Sequence, residues 1–356
     1  MAVDIRKGMP DAHISREVFK TRFLEAFYDP AFEALRPELE RVVDVAWDAH
    51  EHSRKAPRTR AAGPEFSDPS YALSVEWLAA REAIKAAQSA HNDPALPARI
   101  LIVNGSPRSE HTCPGEMSKT YRLVETARQA FAAEPGTECE ILDLSRLASE
   151  YGRQIHPCKA CFSTAPTLCH WPCSCYPNHA LGQVHDWMND IYPKWVAAHG
   201  IMIVTPVHWY QAPTTLKLMM DRLVCADGGN PDPTTTHGKN AQQAKELEPG
   251  WDYPRHLKDR VFAVIVHGDS AGTENLRRML TDWLTDMELR PAGDVALLDR
   301  YIGYYRPYAT SHADLDQEQA MFAEVQNAAI TLREAVMRYR AGDRAPGSTL
   351  RDPRPK

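Results

Sequence analysis

Apolar residues recur at helical spacing through the first ninety positions. Val18, Phe19, Phe23, Leu24, Phe27 and Tyr28 predict a helix behind a Ser15 cap, closed by Pro30. Phe32, Leu35, Leu39, Val42, Val43 and Ala46 form the stripe of a second helix, whose internal Pro37 either disturbs it or marks its true start. A third helix is predicted from about Ser70 to Ala90, with Leu73, Trp77, Leu78 and Ile84 on its apolar side. The basic stretch between the second and third, "EHSRKAPRTRAAGPEFSDP", carries Pro and Gly and reads as a solvated connection. Residues 1–97 are thus expected to form an N-terminal helical extension.

From Arg99 the period changes. Short apolar runs, "RILIVNG", "ECEILDLS", "HGIMIVTPV", "RVFAVIVHGD" and a weaker "DVALLD", alternate with amphipathic segments that begin near Ser118, Ala212 and Thr273. A last helix over about 315–339 carries Phe322, Val325, Ala329, Leu332 and Val336 on one side. Continuous apolar strands separated by helices imply an α/β domain whose parallel sheet is covered on both faces. Five strands in this rhythm suggest the flavodoxin-like order rather than a larger doubly wound sheet. The domain is placed at 98–342, with insertions at about 150–180 and 226–258, and the tail 343–356 reads as disordered.

Composition narrows the function classes. The chain has 356 residues, of which 43% are hydrophobic, enough for a sizeable core. Its 41 basic and 47 acidic side chains are scattered, so neither nucleic acid nor a membrane surface is an expected partner. No apolar run reaches the length of a membrane span, and the first residues lack the apolar core of a secretory signal. The cytoplasm is the expected compartment, with the eight cysteines reduced or bound to metal.

The chemistry lies where strands end. Ligands in open parallel sheets bind beyond the carboxyl ends of the strands. After Val103 the chain reads "NGSPRSEHTCPGEMSKT": Gly105 permits a tight exit, Ser106 and Arg108 bring donors, and Ser118, Lys119 and Thr120 open the next helix. Hydroxyls and a helix N-terminus suit a phosphate, although a plain strand-to-helix turn capped by Ser118 would use the same residues. The loop after Thr205, "PVHWYQAPTTLK", adds an aromatic pair, Trp209 and Tyr210, able to stack on a flat ring or simply to pack at the rim. The loop "HGDSAGTENLRR" adds Gly268 and Gly272, where backbone can approach a ligand.

Together "NGSPR", "TPVHWYQAPTTLKLMMDR" and "HGDSAG" resemble, over roughly residues 99–305, the NAD(P)H-dependent FMN reductases and quinone reductases of the flavodoxin-like superfamily. The resemblance implies that Ser106, Arg108, Ser118, Lys119 and Thr120 hold the FMN phosphate. It further implies that Pro206, Val207, His208, Trp209 and Tyr210 line the isoalloxazine, and that His267, Gly268, Asp269 and Gly272 close over its pyrimidine edge. The extra "SEHTCPGEM" leaves open which of Ser109, Thr112 and Ser118 meets phosphate. The insertion at 226–258 is expected to be a lid or dimer contact near the flavin.

Five cysteines, Cys158, Cys161, Cys169, Cys173 and Cys175, fall within one short segment between the second and third strands. Such density suggests ligands to a [4Fe-4S] cluster or zinc, and the position resembles that of the four-cysteine motif of iron–sulfur flavoproteins. Seven residues separate Cys161 from Cys169, wider than that motif, and packed free thiols are the alternative. The expected activity is hydride transfer from NAD(P)H through FMN to a quinone, flavin or other electron-poor acceptor. No side chain need be catalytic, with His208 and Tyr210 as candidate proton donors, and a homodimer or homotetramer is expected. The alternatives are an iron–sulfur flavoprotein electron carrier and a non-enzymatic FMN- or metal-binding signalling module.

Overall fold

The computed structural model describes residues 2–52, 58–176 and 186–343. The N-terminal part contains α1 (Arg16–Glu25), α2 (Arg36–Glu51), β1 (Thr59–Ala61), β2 (Ala72–Ser74) and α3 (Val75–Asn92). There follow β3 (Ala98–Asn104), α4 (Lys119–Ala132), β4 (Thr137–Asp143), α5 (Arg146–Ser149), α6 (Cys161–Thr164), α7 (Met188–Ala197) and β5 (Gly200–Pro206). The chain continues through α8 (Thr214–Leu223), α9 (Ala241–Leu247), β6 (Val261–Gly268), α10 (Thr273–Asp286) and β7 (Arg290–Pro291). It ends with β8 (Leu297–Tyr301), α11 (His312–Gln317) and α12 (Gln319–Arg340). The tail 344–356, read from sequence as disordered, lies outside the described residues.

Strands run in the order β4-β3-β5-β6, and β6 pairs with β7 at its start and with β8 beyond; every pairing is parallel. This is the flavodoxin-like arrangement, with the two-residue β7 added at one edge. Alternate residues of each strand face opposite ways, so one pattern supplies two cores. Ile100, Ile102, Met202, Val204, Ala263 and Ile265 pack with Val124, Phe131, Val325 and Leu332 of α4 and α12. Leu101, Val103, Ile201, Ile203, Phe262 and Val264 face Trp195, Met219 and Leu280 of α7, α8 and α10. All eight residues of β6 are buried, whereas the edge strand β4 alternates Glu138 and Glu140 outward.

The N-terminal region differs from the sequence reading in its details. Pro37 stands in the first turn of α2, where a missing N–H costs nothing, and a 3-10 turn over Pro30–Leu35 precedes it. The third helix starts at Val75 rather than Ser70, because Ala72–Ser74 pairs antiparallel with Thr59–Ala61. Ser74 caps it, its Oγ accepting from the Trp77 amide. Helix α3 packs on α7, and its Ile84 and Ala87 join the second core. The last helix breaks at Glu318 into α11 and α12. Among the described residues, no helix is long and apolar enough to cross a membrane.

Candidate functional site

The parallel register sets Asn104 beside Val204, and Pro206 beside His267, so three loops leave one edge of the sheet together. At the first, Asn104 Nδ2 donates to Asp143 while its Oδ1 accepts from the Ser106 amide, 3.2 Å away. Ser106 Oγ in turn accepts from the Arg108 amide. These local bonds shape the loop and leave the Ser106 hydroxyl proton to be donated. Ser106 and Ser118 are buried, and Ser118 caps the fourteen-residue α4 by accepting from the Tyr121 amide at 3.0 Å. A cavity of about 280 Å³ opens beside this loop, lined by Arg108, Ser109, Ser118, Ser145 and Arg146. The buried Ser145 hydroxyl has no hydrogen-bond partner among the described residues.

In the second loop, His208 and Gln211 exchange both backbone N–H···O bonds at 2.9 Å. The turn they close forces Trp209 (φ 46°) and Tyr210 (φ 68°) into the left-handed region. Trp209 is 90% exposed and Tyr210 58% exposed. Two large aromatics held outward on a strained turn form a surface that packing does not explain. Val207 is buried, its amide donating to the His267 carbonyl.

The third loop approaches the second by means of glycines. A Cβ on Gly272 (φ +103°) would lie 2.8 Å from the Tyr210 Cα, and one on Gly268 would lie 2.9 Å from Val207 Cγ1. A Cβ on Gly105 would likewise sit 2.6 Å from Thr205 Oγ1. Each of the three loops is therefore pressed against another at a position where a side chain has no room.

Thr120 and His267, expected from the resemblance at the phosphate and the ring edge, face one another. Thr120 Oγ1 and His267 Nε2 are 2.9 Å apart, and His267 Nδ1 lies 3.1 Å from the Tyr304 hydroxyl. Burial pushes His267 down to about 3, so a neutral imidazole ties the start of α4 to β6. Lys119 Nζ lies 4.8 Å over the Tyr304 ring, and burial lowers its pKa. Tyr304 was not singled out from sequence, since nothing local marks it. Asp269 and His208 are exposed on their loops.

A separate groove of about 870 Å³ runs between α8 and α10, with Tyr210 at one end and Cys158, Phe162, Met220 and Trp283 along it.

The cysteine segment departs most from expectation. Cys161 Sγ and Cys175 Sγ lie 3.7 Å apart, and Lys239 Nζ donates to both, at 3.2 and 3.0 Å. The Cys175 hydrogen bond and the Lys239 ammonium hold the Cys161 thiol down at about 6. Burial raises Cys158 and Cys169, while the hydrogen bond to Cys175 and then burial raise Cys173. Among the described residues, no three His, Cys, Asp or Glu side chains converge as metal ligands. A cubane or tetrahedral site needs four, so this arrangement does not fit the cluster or zinc that five clustered cysteines suggested.

Lys239 comes from the 226–258 insertion, which packs against the cysteine segment. Asn230 donates from its amide to the Cys169 carbonyl and from Nδ2 to the Thr167 carbonyl, and its own carbonyl accepts from Trp171. His170 Nε2 meets Thr236 Oγ1 at 2.9 Å.

The profile of the NADPH-dependent FMN reductase family matches residues 98–301, more than half of the chain. An iron–sulfur flavoprotein of Methanosarcina thermophila is 29% identical over 126 residues, 35% of this chain and 52% of that protein. The chain thus spans about half the length of that curated relative. Among solved structures, RosB with a bound intermediate is 14% identical at a TM-score of 0.47, covering 69% of this chain and 81% of the other. An azoreductase from Bacillus anthracis is 11% identical at 0.35, covering 67% and 99%. On the family match, which begins with β3 and ends with β8, the chain belongs to the NADPH-dependent FMN reductase family.

Proposed function

We propose that the protein moves reducing equivalents from NAD(P)H, through FMN at the carboxyl edge of the sheet, to a small electron-poor acceptor such as a quinone or a free flavin. The observation that carries this reading is the exposed Trp209–Tyr210 pair, held on a strained turn beside a hydroxyl-lined loop at the start of a long helix. Bound FMN supplies the redox chemistry, and the chain supplies placement. Ser106, Arg108 and Ser118 offer hydroxyl and guanidinium donors where the positive end of α4 favours a phosphate. The unpartnered Ser145 hydroxyl and the hydroxyl-lined cavity beside the loop suit a polar group seated there. Trp209 and Tyr210 offer ring faces to a flat ligand, and the loop of Gly268 to Gly272 brings backbone amides alongside. Thr120 and His267 hold the loop bases together from beneath, acting as positioning residues. His208 and Tyr210 lie on the exposed loop as the candidate proton donors to a reduced acceptor.

Among the described residues the cysteines do not converge as metal ligands, and the proposed electron path uses none of them. The test is the spectrum of the purified protein followed by anaerobic titration. Flavin bands that bleach with NADPH or NADH and return with a quinone are expected. A protein that takes up no FMN, or whose bound flavin neither nicotinamide reduces, would refute the proposal.

A further inference from the structure

Two half-buried thiols, Cys161 and Cys175, and the ammonium of Lys239 form a closed triangle. The sulfurs are in van der Waals contact at 3.7 Å, and a single cation donates to both. That cation is delivered across 64 positions of sequence, on a turn whose backbone is itself in the left-handed region at Lys239 (φ 85°) and His237 (φ 37°). A backbone held in that region by non-glycine residues is costly and persists where surrounding structure fixes it. Here it is fixed by contacts to the cysteine segment, including the Thr167 hydroxyl, which donates to the Ala244 carbonyl at 3.1 Å. Of the remaining cysteines of the segment, Cys169 and Cys173 are buried, Cys173 as a further hydrogen-bond partner of Cys175, and burial raises Cys158.

We propose that Cys161 and Cys175 are a dithiol that hydrogen peroxide oxidises, with Lys239 as the group that orients and activates it. The arrangement favours a small oxidant, since both sulfurs are half-buried. In the first step the Cys161 thiolate attacks one oxygen of the peroxide; an S–O bond forms, the O–O bond breaks, and the leaving hydroxide becomes water by taking from solvent the proton that Cys161 gave up on ionising. In the second step the Cys175 sulfur attacks the sulfenic sulfur of Cys161. The S–S bond forms as the S–O bond breaks, and the hydroxide leaves as a second water with the Cys175 proton. In sum two thiols and one peroxide give one disulfide and two waters, and a dithiol reductant reverses the change. Lys239 remains protonated throughout and steadies the anionic sulfur before each attack. The bond, about 2.05 Å long, closes between atoms already in contact. It also ties α6, whose Phe162 and Ser163 line the groove shared with Tyr210, to the far end of the segment.

The test uses the full chain, prepared without oxygen, fully reduced and freed of reductant, then treated with stoichiometric hydrogen peroxide. Expected are the loss of two thiols per peroxide, a mass lower by about 2 Da, a mapped Cys161–Cys175 linkage, and complete recovery with dithiothreitol. C161S and C175S each abolish the linkage. K239Q slows thiol loss about ten-fold or more, while K239R retains most of the rate; circular dichroism of both variants reports that the fold is kept. Linkage through other cysteines, an unchanged rate in folded K239Q, or stoichiometric iron and sulfide in the anaerobic protein held by Cys161 and Cys175 would each overturn the proposal. FMN content, measured in parallel, is expected to be unaffected in K239Q, so failure here is separable from failure of the flavin reading.

Discussion

Gly272 has a positive φ, and a Cβ there would press on the Tyr210 main chain, which no side-chain rotation can relieve. Gly272→Ala therefore adds about 1–2 kcal/mol of left-handed strain and pushes two loops apart. If those loops clasp the flavin, the variant should lose FMN affinity by about ten-fold or more while its unfolding midpoint falls only modestly. An FMN titration followed by fluorescence measures this, and wild-type affinity would break the link between the loops and the flavin. Ser106→Ala and Arg108→Ala make the complementary test at the phosphate end. Each removes a charge-assisted hydrogen bond of about 1.5–3 kcal/mol, so FMN should bind about ten-fold or more weakly. Unchanged affinity in both variants would remove this loop from the site. At this scale the sequence was informative where chemistry is local: the glycines, Ser106, Arg108 and the aromatic pair stand on loops whose placement follows from strand ends. It was silent on Tyr304 and Lys239, which reach their partners only through the tertiary fold.

Helix α3 connects the N-terminal extension to the rest. Trp77 is fully buried among Phe66, Leu73 and Leu78, and its indole Nε1 donates to the Pro172 carbonyl at 2.9 Å, in the middle of the cysteine segment. Trp77→Phe keeps most of the apolar volume but leaves that buried carbonyl unmet, a cost of about 1–3 kcal/mol. Trp77→Ala adds a cavity, for about 3–5 kcal/mol in all. Urea unfolding should rank wild type above Trp77→Phe above Trp77→Ala; equal midpoints for the first two would show that the hydrogen bond contributes nothing. The strands and main helices of the α/β part were legible because their apolar period is strong: β3, β5 and β6 are continuous apolar runs buried on both faces. The β1–β2 ribbon was not, because Thr59–Ala61 is exposed throughout and carries neither alternation nor an apolar run. The same blindness extended α3 to Ser70, since Leu73 fits a helical stripe as well as a strand. The insertion was recognised by its length, but its packing depends on Asn230 and Thr236 finding partners in a segment far away in sequence.

Across the whole molecule, the burial of neutral histidines sets how stability responds to acid. His170, His199 and His267 are almost wholly buried, and burial is the first cause that lowers each, to about 3, 4 and 3 respectively. Each is satisfied as a neutral ring: His199 Nδ1 accepts from the Arg99 amide, His170 lies between Ser174 and Thr236, and His267 between Thr120 and Tyr304. Above pH 6.5, folded and unfolded states are both neutral at these positions, and their full contribution is present. As pH falls below 6.5 the unfolded chain binds protons that the folded one refuses, so stability falls. Each histidine contributes a slope of about 1.4 kcal/mol per pH unit, about 4 for the three together, down to the folded values near 4 and 3. The carboxylates of Glu76 and Asp232, held low mainly by hydrogen bonds that outweigh their burial, extend the loss in the same direction at lower pH. Urea unfolding at pH 7.5, 6 and 5, with FMN at a fixed saturating excess, should therefore show a steep decline below 6.5 and little change above it. His170→Gln, His199→Gln and His267→Gln should each flatten that decline by about one proton. A wild-type profile level from pH 7.5 to 5 would mean that these rings are protonated in the folded chain, and that the neutral His267 linking α4, β6 and Tyr304 is wrongly assigned.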